Sequence, residues 1–171
     1  MQPTALDRLV ATTTLVLAAL AGVVLAAMAL LTVVSITGRS LIWAGLGPIP
    51  GDFELVEMGC AIAVFAVLPY CHLHRGHVTV DILVERLPTP VFNTLTLVGD
   101  LTIALIAGGV CWRMWYGLQE KLTYGETTMI LGAPVWIGYV LSYIGAVWFV
   151  VVAAYVLWRD LRHLMGGVRL P

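Results

Sequence analysis

The sequence predicts an all-α integral membrane protein: four transmembrane helices, a short amphipathic interfacial helix between the second and third, and both termini in the cytoplasm. Three observations carry this. Of 171 residues, 60% are hydrophobic and only 11% charged, with mean hydropathy +0.96; a soluble domain carries about 25% charged residues, so lipid must be the solvent. Four long apolar stretches approach or exceed the roughly 20 residues that cross a bilayer. The lysines and arginines also fall unevenly on the loops and tails between those stretches.

The first stretch covers about residues 12–37. Arg8 precedes it, as in a signal peptide, but its apolar run is far longer than a secretory signal core and ends without a small-residue cleavage site, which predicts a retained helix. The loop Gly45–Gly51, rich in Gly and Pro, follows. The second stretch, 55–71, is at the short limit, and Glu54 is positioned to start its helix. Residues 78–87 put Val80, Leu83, Val84 and Leu87 on one helical side, with Asp81 and Glu85 on another, the pattern of a helix lying in the membrane surface. The third stretch, 91–118, is long enough to tilt strongly or project from the bilayer. The fourth covers 135–158. Backbone groups in hydrocarbon must bond internally, so each is read as a helix. Residues 1–171 form a single four-helix membrane domain with no internal repeat.

Arg8, Arg75, Arg86, Arg159, Arg162 and Arg169 fall on the side of the termini, against Arg39 and Lys121 opposite. That bias orients both termini toward the cytoplasm and the Gly45–Gly51 loop toward the periplasm or exterior. Trp43, Tyr124, Trp136 and Trp158 lie near the predicted interfaces. The net charge of −1 gives no argument for nucleic acid. Cys60, Cys71 and Cys111 have no CxxC spacing, which argues against a disulfide framework or a zinc site.

Small residues recur every four positions at Ala18, Gly22 and Ala26, at Gly138, Ser142 and Ala146, and at Ala104 and Gly108. Such spacing lets helix backbones approach closely, within the chain or against a partner. His72, His74 and His77 read as solvated residues near lipid head groups rather than as metal ligands, and no histidine lies deep in a span, which argues against a bis-histidine haem protein.

Charges near or inside the spans carry the most weight, because ionised groups are costly in lipid. Arg39 ends the first helix, and Glu54 and Glu57 open the second on the same membrane face. An Arg39–Glu54 or Arg39–Glu57 pair is expected to tie those ends together; contact with a partner protein is the other reading. Asp100 lies about 14 Å into the third span at 1.5 Å per residue. No basic residue is obviously at its depth, so it is either protonated, bonded to a hydroxyl such as Thr13, Tyr70 or Tyr143, or turned toward a partner subunit. Arg113 can extend toward Glu120 or Glu126.

Five pieces in order resemble the small membrane subunit of TRAP transporters, the tripartite ATP-independent periplasmic uptake systems. They are Arg39 after the first span, Glu54-Leu55 opening the second, Gly76-His77-Val78-Thr79-Val80-Asp81 followed by Leu87-Pro88, Gly125-Glu126 before the fourth, and Pro134-Val135-Trp136 at its start. The resemblance covers nearly the whole chain. It implies a non-enzymatic permease subunit of the bacterial inner membrane, without cofactor or metal. Such a subunit packs against the large sodium-coupled membrane subunit and helps dock a periplasmic binding protein, in uptake of an organic acid. On that reading Asp52, Glu54 and the Pro-Gly loop are candidates for the face toward the binding protein. Arg39, Glu54 and Asp100 are candidates for fixing the helices or the large-subunit contact. The sequence holds no P-loop and no nucleophile constellation.

Two rivals come from other classes. A self-sufficient small proton-coupled exporter would use Asp100 or Glu57 as its intramembrane acid, but would leave the ordered loop motifs unexplained. A quinone-linked thiol oxidant would need paired cysteines on the oxidising side, and Cys71 is expected at the cytoplasmic end.

Overall fold

The computed structural model describes residues 5–76 and 89–165, which are almost entirely helical. Helix α1 spans Ala5–Ser40, α2 Asp52–Leu73, α3 Thr89–Tyr124 and α4 Trp136–Met165; a short 3-10 turn, Ile42–Ala44, sits between α1 and α2. All four are long and apolar enough to cross a membrane. The predicted interfacial helix at 78–87, with His77 and Asp81, lies outside the described residues.

The helices outrun the apolar stretches that announce them. At 36 residues each, α1 and α3 reach about 54 Å at 1.5 Å per residue, well beyond a hydrocarbon core of about 30 Å. Along them Thr32, Thr37, Ser40, Thr94 and Thr123 return their hydroxyls to the carbonyl four residues back, so these polar side chains are satisfied within the helix itself.

The four form an open row. α1 packs on α2, α2 on α4, and α4 on α3. α1 and α2 run antiparallel, with Ser35 at Asp52 and Met28 at Gly59. α2 and α4 run parallel, with Met58 at Gly138, Phe65 at Gly145 and His72 at Phe149. α3 returns antiparallel to α4, with Trp115 against Tyr143. Both connecting loops therefore gather at one end, the loop end. The start of α1 and the finish of α4 gather at the other, the terminal end.

Of the small-residue runs the spacing suggested, Gly138, Ser142 and Ala146 of α4 are buried, whereas those of α1 and α3 are not where the backbones come closest. In α1 the buried positions Val10, Thr14, Ala21 and Ser35 lie with Val24 and Met28 on one heptad stripe, a narrow helix-pair seam. Gly22 and Gly108 face open space. On α4 the approach to α2 is made by Gly138 and Gly145, seven apart; a methyl on Gly145 would lie 2.7 Å from the Phe65 carbonyl. That carbonyl is also the one deprived of its usual donor, because Pro69 lies four residues on and has no N–H. Where α1 reaches α4, Val10 meets Val152 and Val156, and the Trp148 indole donates to Thr14 Oγ1 at 3.1 Å.

Candidate functional site

Polar contacts concentrate at the two ends of the row. At the loop end, α2 starts from Gly51 in the left-handed conformation (φ +74°). The Ser35 hydroxyl donates to the Asp52 carboxylate and accepts the Ile49 N–H at 3.3 Å, so the α1–α2 loop is fastened to both helices. Glu54 reaches across to the other loop. Its two carboxylate oxygens accept the backbone N–H groups of Ile130 (2.7 Å) and Leu131 (3.0 Å).

Those amides sit at the tip of a closed loop. Gly125 turns out of α3 with φ +61°. The Glu126 carbonyl accepts the Val135 N–H at 3.0 Å, Thr128 and Ala133 bond each other, and Thr127 faces Pro134. The Glu126 carboxylate takes Lys121 at 2.5 Å. Trp136 then opens α4. Gly125-Glu126 and Pro134-Trp136, distant in sequence, are thus two legs of one loop, and Glu54 holds its tip.

The expected Arg39 pairing is corrected here. Among the described residues no ion pair joins Arg39 to Glu54 or Glu57. Arg39 lies over the Phe53 ring at 6.0 Å, and Glu54 is committed to the loop amides. Glu126 likewise belongs to Lys121, while Arg113 and Glu120 line a shared hollow that α3 forms with Tyr139 of α4. Beyond the clamps the loop end is apolar and open to its surroundings: Trp43, Phe53 and Ile130 are exposed, and Met129 completely so.

At the terminal end one arginine joins three elements. α2 closes with the Gly76 N–H on the Cys71 carbonyl (2.7 Å) and the Arg75 N–H on that of His72 (3.1 Å). This is a Schellman turn, whose left-handed residue is ordinarily glycine. Here that residue is Arg75, at φ +51°, and Gly76 follows it. The Arg75 guanidinium pairs with the fully buried Asp160 of α4 and lies 3.7 Å from Asp100 of α3; Arg159 adds a contact to Asp160 at 3.3 Å. Asp100 therefore has a cation at its depth, contrary to expectation, and its neighbours are Arg75 and Asp160 rather than Thr13, Tyr70 or Tyr143. The histidine reading is corrected at His72, which is buried edge-on against Phe149, while His74, tilted against Tyr70, is exposed and His77 lies outside the described residues.

Between the ends, α2 and α3 stand on either side of α4 and leave a slot of about 350 Å³ that opens near the loop end. Met58, Phe65 and Met114 wall it, Gly138 and Ser142 floor it, and Glu57 projects into it.

Sequence reasoning passed over Asp160, the arginine that serves Asp100, and the backbone amides that serve Glu54. Alternating helices would have put Arg75, Asp100 and Asp160 on one membrane face. Backbone donors leave no side-chain trace to find.

The family model described as "Tripartite ATP-independent periplasmic transporters, DctQ component" matches residues 28–163. The chain belongs to this family. No curated protein matches it. As a DctQ component it is a multi-pass membrane protein and the small permease subunit of a TRAP transporter, a transporter component rather than a member of an enzyme family. The matched region takes in the loop-end clamps, the slot and the Arg75 cluster of this DctQ chain.

Proposed function

We propose that this chain braces the large membrane subunit of its transporter and presents a docking face to the periplasmic binding protein. The open row of helices carries the reading. In the most apolar windows of α1 and α3 only 6% and 11% of residues are buried within the chain, so most of their surface is left for lipid or a partner. Asp100, the acid that a self-sufficient exporter would use, is held by Arg75, which lends that rival no support.

Arginine placement favours an orientation with both termini cytoplasmic and the loop end periplasmic. The clamped loops, with exposed Trp43, Phe53, Met129 and Ile130, then form the docking face. Residues 1–171 act as one domain in the bacterial inner membrane, with the amphipathic 78–87 segment at the cytoplasmic surface. The driving force is a sodium gradient used by the large subunit, the cargo an organic acid captured by the binding protein.

Affinity purification of the tagged chain from native membranes in mild detergent tests the assembly. A stoichiometric, much larger polytopic protein is expected with it, and sodium-dependent uptake is expected to need the chain. Purification alone, or uptake unchanged without it, overturns the proposal.

A further inference from the structure

We propose that the hollow between α3 and the start of α4 binds a zwitterionic aminophospholipid, with its phosphate on Arg113 and its ammonium group on Glu120. The site is independent of the assembly proposed above. The two side chains are opposite in sign and line one hollow of about 520 Å³ with Tyr116 and Tyr139. Both are exposed, and neither makes a hydrogen bond or an ion pair among the described residues. They stand about 10 Å apart along α3 at 1.5 Å per residue. Arg113 is the deeper of the two in the membrane, and Glu120 the nearer to the loop end.

The depth is that of lipid headgroups. Trp112, Trp115 and Tyr116 stand exposed on the same turn of α3 as Arg113, and exposed tryptophan and tyrosine gather where hydrocarbon meets headgroup. An unpaired arginine at that depth suits phosphate, which its planar fork binds through two hydrogen bonds. An aminophospholipid carries its ammonium beyond its phosphate, toward water, and Glu120 follows Arg113 in that same order. Deeper than Arg113 the hollow continues past Gly109, where an added methyl would meet nothing within 4 Å, so an acyl chain has room to run along the helix. Phosphatidylglycerol would satisfy Arg113 but bring no cation to Glu120, and a single side chain of a partner protein brings one charge, not both. A direct Arg113–Glu120 ion pair would be indifferent to which charge stands deeper; a lipid, with its phosphate inward, is not.

The test is lipid mass spectrometry of the tagged chain, purified in mild detergent with whatever accompanies it. The wild type is expected to retain phosphatidylethanolamine over phosphatidylglycerol beyond their ratio in the parent membrane. Arg113→Gln and Glu120→Gln are each expected to lower the retained phosphatidylethanolamine about fivefold. The swap of Arg113→Glu with Glu120→Arg is expected to lose it as well, although a direct ion pair would survive. Each variant is counted only if it melts as the wild type does. A second measurement needs no variant: the delipidated wild type is expected to be stabilised more by added dioleoyl phosphatidylethanolamine than by dioleoyl phosphatidylglycerol. No enrichment in the wild type, unchanged retention in the folded variants or in the swap, or equal stabilisation by the two lipids overturns the inference.

Discussion

The Phe65 carbonyl of α2 lies against the Cα of Gly145 on α4, so close that a single methyl on Gly145 would sit 2.7 Å from the oxygen. Two features of the sequence meet at this point. Pro69 withholds the donor that the carbonyl would have had in an unbroken helix, and Gly145 admits the backbone that takes up the space.

Gly145→Ala is therefore expected to lower the melting temperature of the purified chain, although alanine is the better helix former by about 1 kcal/mol. Gly108→Ala, where nothing lies within 4 Å, is expected to leave it unchanged or raise it. Equal responses at the two sites would mean that helix propensity outweighs the close approach.

Arg75→Ala leaves Asp160 buried with only Arg159 beside it, and breaking a buried pair on one side costs about 3–5 kcal/mol. Arg75→Gly suits the left-handed turn yet is expected to be almost as damaging, because the charge is lost. Adding Asp160→Asn to Arg75→Ala is expected to recover part of the stability in thermal unfolding. No recovery in the double variant would show that Arg75 acts through the turn alone.

Glu54→Ala removes the two charge-assisted hydrogen bonds that hold the loop tip. Hydrogen exchange at the Ile130 and Leu131 amides is expected to accelerate while the α4 core amides keep their rates. Unchanged exchange at those two amides would refute the clamp.

Reversing Arg39 and Glu54 together is expected to do no better in uptake than either single reversal, since Arg39 packs on Phe53 and Glu54 on backbone amides. Rescue by the double reversal would restore the ion pair that the sequence suggested.

The four spans were legible because lipid demands long apolar helices, and hydropathy reports that directly. Their packing faces were not. With lipid on one side and protein on the other, both sides of α1 are apolar, and the heptad stripe of Val10, Ala21 and Ser35 does not stand out from Gly22 beside it. Polar partners divide in the same way. Asp100 announced itself as an acid inside a span, but its cation comes from the turn after α2, and its fellow acid Asp160 lies just past residue 158, where the fourth apolar stretch ends. Glu54 was picked out, yet for a side-chain partner; it serves backbone.

α3 touches the rest extensively through α4 alone, and among the described residues the carboxylate of Asp100 is what joins it to the Arg75 turn. It is thus the most severable helix of the row. A force drawn along it would peel it away first and leave α1, α2 and α4 standing, and in folding it can be added last to a three-helix body already formed.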